Sequence, residues 1–67
     1  MKVRIIPHTV HLTNRIRQHG ARWNVISHDV TTGKVLAQSE NLTGIGLHGH
    51  KEHELRWLNR GEFEFVG

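Results

Sequence analysis

Alternation of hydrophobic and polar residues predicts that most of this chain forms β-strands. Residues 2–6 alternate charged with branched apolar side chains, and Pro7 lacks the amide hydrogen needed inside a sheet. Val10 and Leu12 resume the alternation, and the polar residues 13–20 are expected to form a basic loop or to continue a long strand. Strands are therefore expected at residues 2–6 and around Val10 and Leu12, ahead of the first tryptophan.

A β-hairpin is predicted between residues 22 and 39. Trp23 and Val25 share one face of its first strand, residues 29–34 carry the Asp and Gly that are typical of a turn, and residues 35–39 return. A strand tryptophan normally lies in the core, although one that faced outward could stack on a nucleic-acid base.

One segment, residues 48–61, has the pattern of a helix. Its glutamates lie towards the start and its arginines towards the end, as the helix dipole favours, and Gly61 can end it. Leu47, Leu55 and Leu58 are expected to face the core at helical spacing. The segment therefore predicts a helix packed on the sheet.

The remaining segments complete an α+β fold. Residues 41–49 are glycine-rich and predict a loop, and residues 62–66 predict a strand with Phe63 and Phe65 in the core. The order β-β-β-α-β predicts a small antiparallel or mixed sheet of three to four strands with one helix packed on a face. Residues 1–67 are expected to be a single small domain.

Part of the chain resembles a known family. Residues 22–25 (Arg-Trp-Asn-Val), the turn glycine Gly33 and residues 35–42 (Val-Leu-Ala-Gln-Ser-Glu-Asn-Leu), followed by a predicted helix, resemble the YegP-like family of small bacterial and phage domains of unknown function. The resemblance covers residues 22–58 and implies a small sheet-plus-helix fold without catalytic residues. The chain has Leu42 where an aromatic is typical, a glycine-rich insertion before the helix and an added final strand. Small size and composition also suit a phage-encoded, host-directed protein.

Composition narrows the functional classes. The chain has no cysteine, which excludes disulfides and thiolate zinc sites, and no stretch is long and apolar enough to span a membrane. No signal peptide is recognised, so a cytoplasmic location in the producing or host cell is expected. Without cysteine, tyrosine, a nucleophile elbow or a phosphate-cradling glycine motif, an enzyme is not expected.

Histidines cluster at the start of the predicted helix. Residues 48–53, His-Gly-His-Lys-Glu-His, resemble the His-x-His-x-Asp-His motif of the metallo-β-lactamase fold, but the chain is far too short for that fold. A simple zinc or nickel site is the remaining metal hypothesis, with His48, His50 and His53 as ligands, which can converge only if the helix begins at about His50. A solvated surface is the ordinary alternative, and no cofactor is expected.

A protein-interaction module is the function that the sequence favours. On the predicted helix, Trp57 shares a stripe with His50 and His53, and Arg56 lies beside it. Tryptophan and arginine are enriched at binding hot spots, and a domain this small gains stability by association. A protein partner or self-association is therefore expected, through Trp57, His50, His53 and Arg56.

Nucleic-acid binding is the alternative function. The net charge is +3 with histidines neutral, and most cations lie in the N-terminal half. Contacts to phosphates are expected from Lys2, Arg4, Arg15, Arg17 and Arg22. No helix-turn-helix, zinc-finger or ribonucleoprotein motif supports reading of a base sequence, so this function would be binding to the backbone.

Overall fold

Residues 1–66 are described by a computed structural model as a five-stranded antiparallel sheet, a helix and a two-stranded ribbon. The elements in chain order are β1 (Lys2–Ile5), α1 (Val10–His19), β2 (Arg22–Asp29), β3 (Lys34–Ser39), β4 (Gly44–Ile45), a 3-10 turn (Leu47–Gly49), β5 (Lys51–Glu52), β6 (Leu55–Leu58) and β7 (Phe63–Val66). The order across the large sheet is β6-β3-β2-β1-β7. Strands β4 and β5 form the ribbon.

The core lies between α1 and one face of the large sheet. Alternate residues of each strand point to this helix-side face, and the residues between them point to the opposite, open face. Half-buried Ile16, Val25 and Phe63 pack against the core. The fully buried core side chains are Val3, Ile5, Leu12, Trp23, Val35, Ala37 and Leu58. The fold therefore buries the helix-side face of the sheet, whereas open-face residues such as Lys2, Arg4 and Trp57 are exposed.

Helix α1 occupies residues that were predicted to be strand and loop. Thr9 caps its start, with Oγ1 accepting a hydrogen bond of 3.1 Å from the Leu12 amide. Gly20 ends it with a φ of 89°, and its amide donates to the carbonyl of Ile16 at 2.7 Å. Leu12, Ile16 and His19 follow helical spacing and face the sheet. The prediction of a strand at Val10 and Leu12 is wrong.

Residues 48–61, predicted to be a helix, instead contain strands β5 and β6. His48 and Gly49 have φ angles of 64° and 77°, which interrupt any α-helix there. Strand β6 pairs with β3, from Leu55 opposite Gln38 to Leu58 opposite Val35. Pairing with a distant strand outweighs the local helical pattern, because burial and cross-strand contacts decide strand formation.

Consequently the predicted core leucines separate. Leu58 is fully buried, whereas Leu47 is 83% exposed and Leu55 is 52% exposed. Of the three leucines, only Leu58 has its side chain on the helix-side face of a strand. The predicted single leucine face of a helix is therefore wrong.

The α+β class is confirmed, and the finer topology is corrected. The large sheet has five strands rather than three to four, and the helix follows the first strand rather than the third. The hairpin of β2 and β3 is confirmed, with a bulge between Val25 and Ser27. Strand β7 is also present, with Phe63 against the core, but Phe65 is 49% exposed beside the ring of His28.

Candidate functional site

Trp57 lies on the open face of the sheet, in strand β6 at the sheet edge. It is opposite Leu36 of β3, and the next pair along the ladder is Val35 with Leu58. Val35 and Leu58 are fully buried on the helix-side face, so Trp57 and Leu36 point to the other side. The Trp57 side chain is 53% exposed.

Two leucines lie beside this tryptophan. Leu55 is two residues earlier on the same strand and face, and Leu36 is half-buried across the ladder. We call Leu36, Leu55 and Trp57 the open-face patch. Solitary exposed hydrophobic residues are ordinary, but a group at a sheet edge is typical of an interaction surface.

The four predicted protein-binding residues do not form one surface. Arg56 is opposite the buried Ala37, so it points to the helix side, away from Trp57. The Nδ1 atom of His53 donates a hydrogen bond of 2.7 Å to the carbonyl of Ser39, and His50 is exposed in the connection before β5. The helical stripe that would have joined them is absent because the segment is extended. Trp57 alone remains on the open face.

The three histidines of the predicted metal site do not converge either. His48 lies in the 3-10 turn, His50 precedes β5, and His53 follows it. Within residues 1–66, no group of three or more histidine, aspartate or glutamate side chains is arranged to hold a metal ion. The ligand set required for a zinc or nickel site is therefore missing from the described residues.

The five basic residues predicted to bind nucleic acid lie on two sides of the molecule. Lys2, Arg4 and Arg22 share the open face, since Arg4 is opposite Arg22 and Lys2 is two residues away on β1. Arg15 and Arg17 are on α1, which covers the other face. The arrangement does not give a single basic patch.

Glutamates neutralise part of the open-face charge. Lys2 Nζ lies 2.7 Å from Glu40 Oε2, and Arg4 forms an ion pair with Glu64. The hydrogen bond from Lys2 lowers the pKa of Glu40, with smaller contributions from the charges of Lys2 and Arg22. Trp23 is fully buried, so it cannot stack on a base.

A polar cluster around the buried His19 joins α1 to β6, and the sequence did not point to it. His19 is 8% exposed, and its Nδ1 atom shares a hydrogen bond of 2.6 Å with Oγ1 of Thr43. Its Nε2 atom lies 3.4 Å from Oε2 of Glu54, whose other carboxylate oxygen is 3.5 Å from Nε of Arg56. The helical spacing of Leu12, Ile16 and His19 was the signal that could have placed this histidine inward.

Replacing His19 by alanine is expected to destabilise the fold by about 2 kcal/mol. The change removes partners from Thr43 and Glu54 and also removes an edge-to-face contact with Trp23 at 5.9 Å between ring centroids. Urea unfolding followed by circular dichroism measures the effect. His50→Ala is the matched control because His50 is exposed, and equal stability of the two variants would contradict a structural role for His19.

None of the helices in residues 1–66 has the length and apolar character required to cross a bilayer. Comparison of the chain with known protein families, with curated proteins and with solved structures finds no match.

Proposed function

We propose that the chain is a non-catalytic protein-interaction module that associates through strand β6. The observation that carries the proposal is the position of Trp57, which is 53% exposed on the sheet face opposite α1 and in a strand at the sheet edge. Aromatic side chains supply much of the binding energy at protein interfaces when a partner excludes water from them. The open-face patch is the surface that a partner would cover.

The edge of β6 offers backbone groups as well as side chains. The Ser39 amide donates to the carbonyl of Glu54 at 2.9 Å, so Glu54 and every second residue after it direct their backbone hydrogen bonds to β3. In an antiparallel ladder, alternate residues bond to the same neighbour, so the amides and carbonyls of Leu55 and Trp57 point away from β3. Strand β6 contains no proline or lysine, the residues that commonly protect a sheet edge.

The partner that we propose is a second copy of the chain. Two β6 strands can pair antiparallel about a two-fold axis at Leu55, which places the two copies of that leucine opposite each other. In this register Glu54 faces Arg56 of the partner subunit, so opposite charges meet twice on the helix-side faces. The same pairing joins the two open-face patches into one apolar surface.

The other sheet edge is a weaker candidate for this pairing. On its open-face side, β7 presents Glu64, which forms an ion pair with Arg4 of the adjacent strand. A charged residue in that position opposes the burial that a partner strand requires. We therefore assign association to β6.

Replacing Leu55 by lysine is expected to weaken association by about tenfold or more, because a charge would enter the middle of the paired edge. Sedimentation equilibrium over about 1 µM to about 1 mM covers the affinity expected of a small interface. Leu55 is 52% exposed, so the monomer is expected to stay folded.

Leu47→Lys is the matched control, since Leu47 is 83% exposed and lies outside β6. It introduces the same charge without touching the edge, and its dimerisation is expected to equal that of the unmodified chain. A chain that remains monomeric throughout the concentration range contradicts the proposal. So does an equal loss of association in the two lysine variants.

A further inference from the structure

A basic cavity of about 360 Å³ lies between helix α1 and strand β6. Its volume falls at the lower end of the range of small-molecule sites, about 300 to 1,000 Å³. The cavity is on the helix-side face, across the sheet from the open-face patch. Its lining residues are His11, Asn14, Arg15, Gln18, His19 and Arg56.

Helical spacing explains why one side of the cavity is polar. His11, Arg15 and His19 recur every four residues, and Asn14 and Gln18 form a parallel row beside them. Side chains at this spacing lie above one another on a helix surface. Helix α1 therefore presents a row of nitrogen donors along the length of the cavity.

Strand β6 supplies the opposite wall. Arg56 is opposite Ala37, which is fully buried, so its side chain points towards α1. Glu54 Oε1 lies 3.5 Å from Nε of Arg56 and holds the guanidinium at the cavity. An arginine carries five N–H donors, so this contact leaves the terminal nitrogens free to bind a ligand.

The residues that line the cavity carry positive charge, and one neighbouring carboxylate, that of Glu54, offsets only part of it. Two arginines and two histidines line the cavity, and none of the lining residues is acidic. The nearest carboxylate, that of Glu54, is already shared between His19 and Arg56. Arg15 is half-buried and makes no ion pair with any residue of 1–66. A cleft lined by these cations favours an anionic ligand.

We infer that this cavity binds the phosphate group of a small phosphorylated molecule. Arginine donors in a planar fork match the oxygens of a phosphate, and the amide groups of Asn14 and Gln18 add neutral donors. The volume exceeds that of a single ion, which leaves room for the group esterified to the phosphate. The inference does not rest on association through β6, because all the lining residues belong to a single chain.

The test compares two arginines of the same helix. Arg15 lines the cavity, whereas Arg17 is exposed and does not. We expect inorganic phosphate to shift the NMR amide signals of α1 and β6 saturably. Arg15→Gln is expected to weaken binding by about tenfold or more, and Arg17→Gln by about twofold or less, since both variants lose one charge but only one loses a ligand contact. Arg56→Gln, from the opposite wall, is expected to weaken binding as Arg15→Gln does.

Two further titrations distinguish the sources of phosphate. A small phosphomonoester is expected to bind more tightly than inorganic phosphate because it fills the remaining volume. A single-stranded oligonucleotide without terminal phosphates that bound as tightly as the monoester would overturn the assignment in favour of backbone binding. Absence of saturable binding, or equal losses in Arg15→Gln and Arg17→Gln, would also overturn it. Circular dichroism confirms that each glutamine variant retains its helix.

Discussion

Replacing Trp23 by alanine is expected to remove about a third or more of the free energy of unfolding. Trp23 is fully buried between α1 and the sheet, opposite Val3 on one side and Ser39 on the other. Its Nε1–H group donates a hydrogen bond of 2.9 Å to the carbonyl of Gly20 at the end of the helix. The substitution therefore leaves a large cavity and an unpaired carbonyl at the same place.

The expected loss is about 3 to 5 kcal/mol, the range for large aromatic residues replaced in a core. A chain of this length has a total free energy of unfolding of about 3 to 10 kcal/mol. Urea and thermal unfolding monitored by circular dichroism measure the loss. Val30→Ala is the control, because Val30 is 82% exposed in the hairpin turn, and it is expected to change stability by about 0.5 kcal/mol or less. A Trp23→Ala variant as stable as this control would contradict the burial of Trp23 in the core.

Truncating Leu58 is the second large effect that the fold predicts. Leu58→Ala is expected to cost about 2 to 5 kcal/mol, because Leu58 is fully buried opposite Val35. Leu47→Ala removes the same atoms from a side chain that is 83% exposed, and it is expected to cost about 0.5 kcal/mol or less.

These two leucines distinguish the observed fold from the helix that the sequence predicts. A helix through residues 48–61 would place Leu47 and Leu58 on the same core-facing side, and both truncations would then be costly. Chemical denaturation of the pair under identical conditions gives the comparison. Similar losses of stability in the two variants would contradict the pairing of β6 with β3.

The β-hairpin was predictable because its signals are local. Alternation places Trp23 and Val25 on one face, and the Asp29 carboxylate accepts hydrogen bonds from the amides of Thr31 and Thr32 in the turn. The same bonds, chiefly that from the Thr32 amide, lower the pKa of Asp29. Gly33 has the positive φ, 78°, that the turn was expected to require.

Helix α1 was missed although its signals are also local. Thr9 at the cap, the apolar Leu12 and Ile16 four residues apart and Gly20 at the end together predict a helix. Val10 and Leu12 also fit strand alternation, so the local pattern is compatible with a strand as well as with a helix. In a strand, Val10 and Leu12 would share one face. Val10 is 79% exposed whereas Leu12 is buried, so the segment follows helical spacing.

The extended form of residues 51–58 was not predictable from local pattern. Leu55 and Leu58 fit a helix face as well as they fit a strand whose neighbours are unknown. This segment forms a strand because β3, which pairs with β2 on one side, pairs with β6 on the other. Contacts of such long sequence separation are not visible in a single sequence. Trp57 is exposed on strand β6, and the helix stripe that would have joined it to His50 and His53 is absent for the same reason.

The most direct test of association through β6 is residue-resolved amide hydrogen exchange at about 20 µM and about 1 mM protein. The amides of Arg56 and Leu58 bond to β3 in the ladder, so they are expected to be protected at both concentrations. The amides of Leu55 and Trp57 point to the free edge, so we expect their exchange to slow only at the higher concentration. Unchanged, rapid exchange at Leu55 and Trp57 at both concentrations would contradict the proposal.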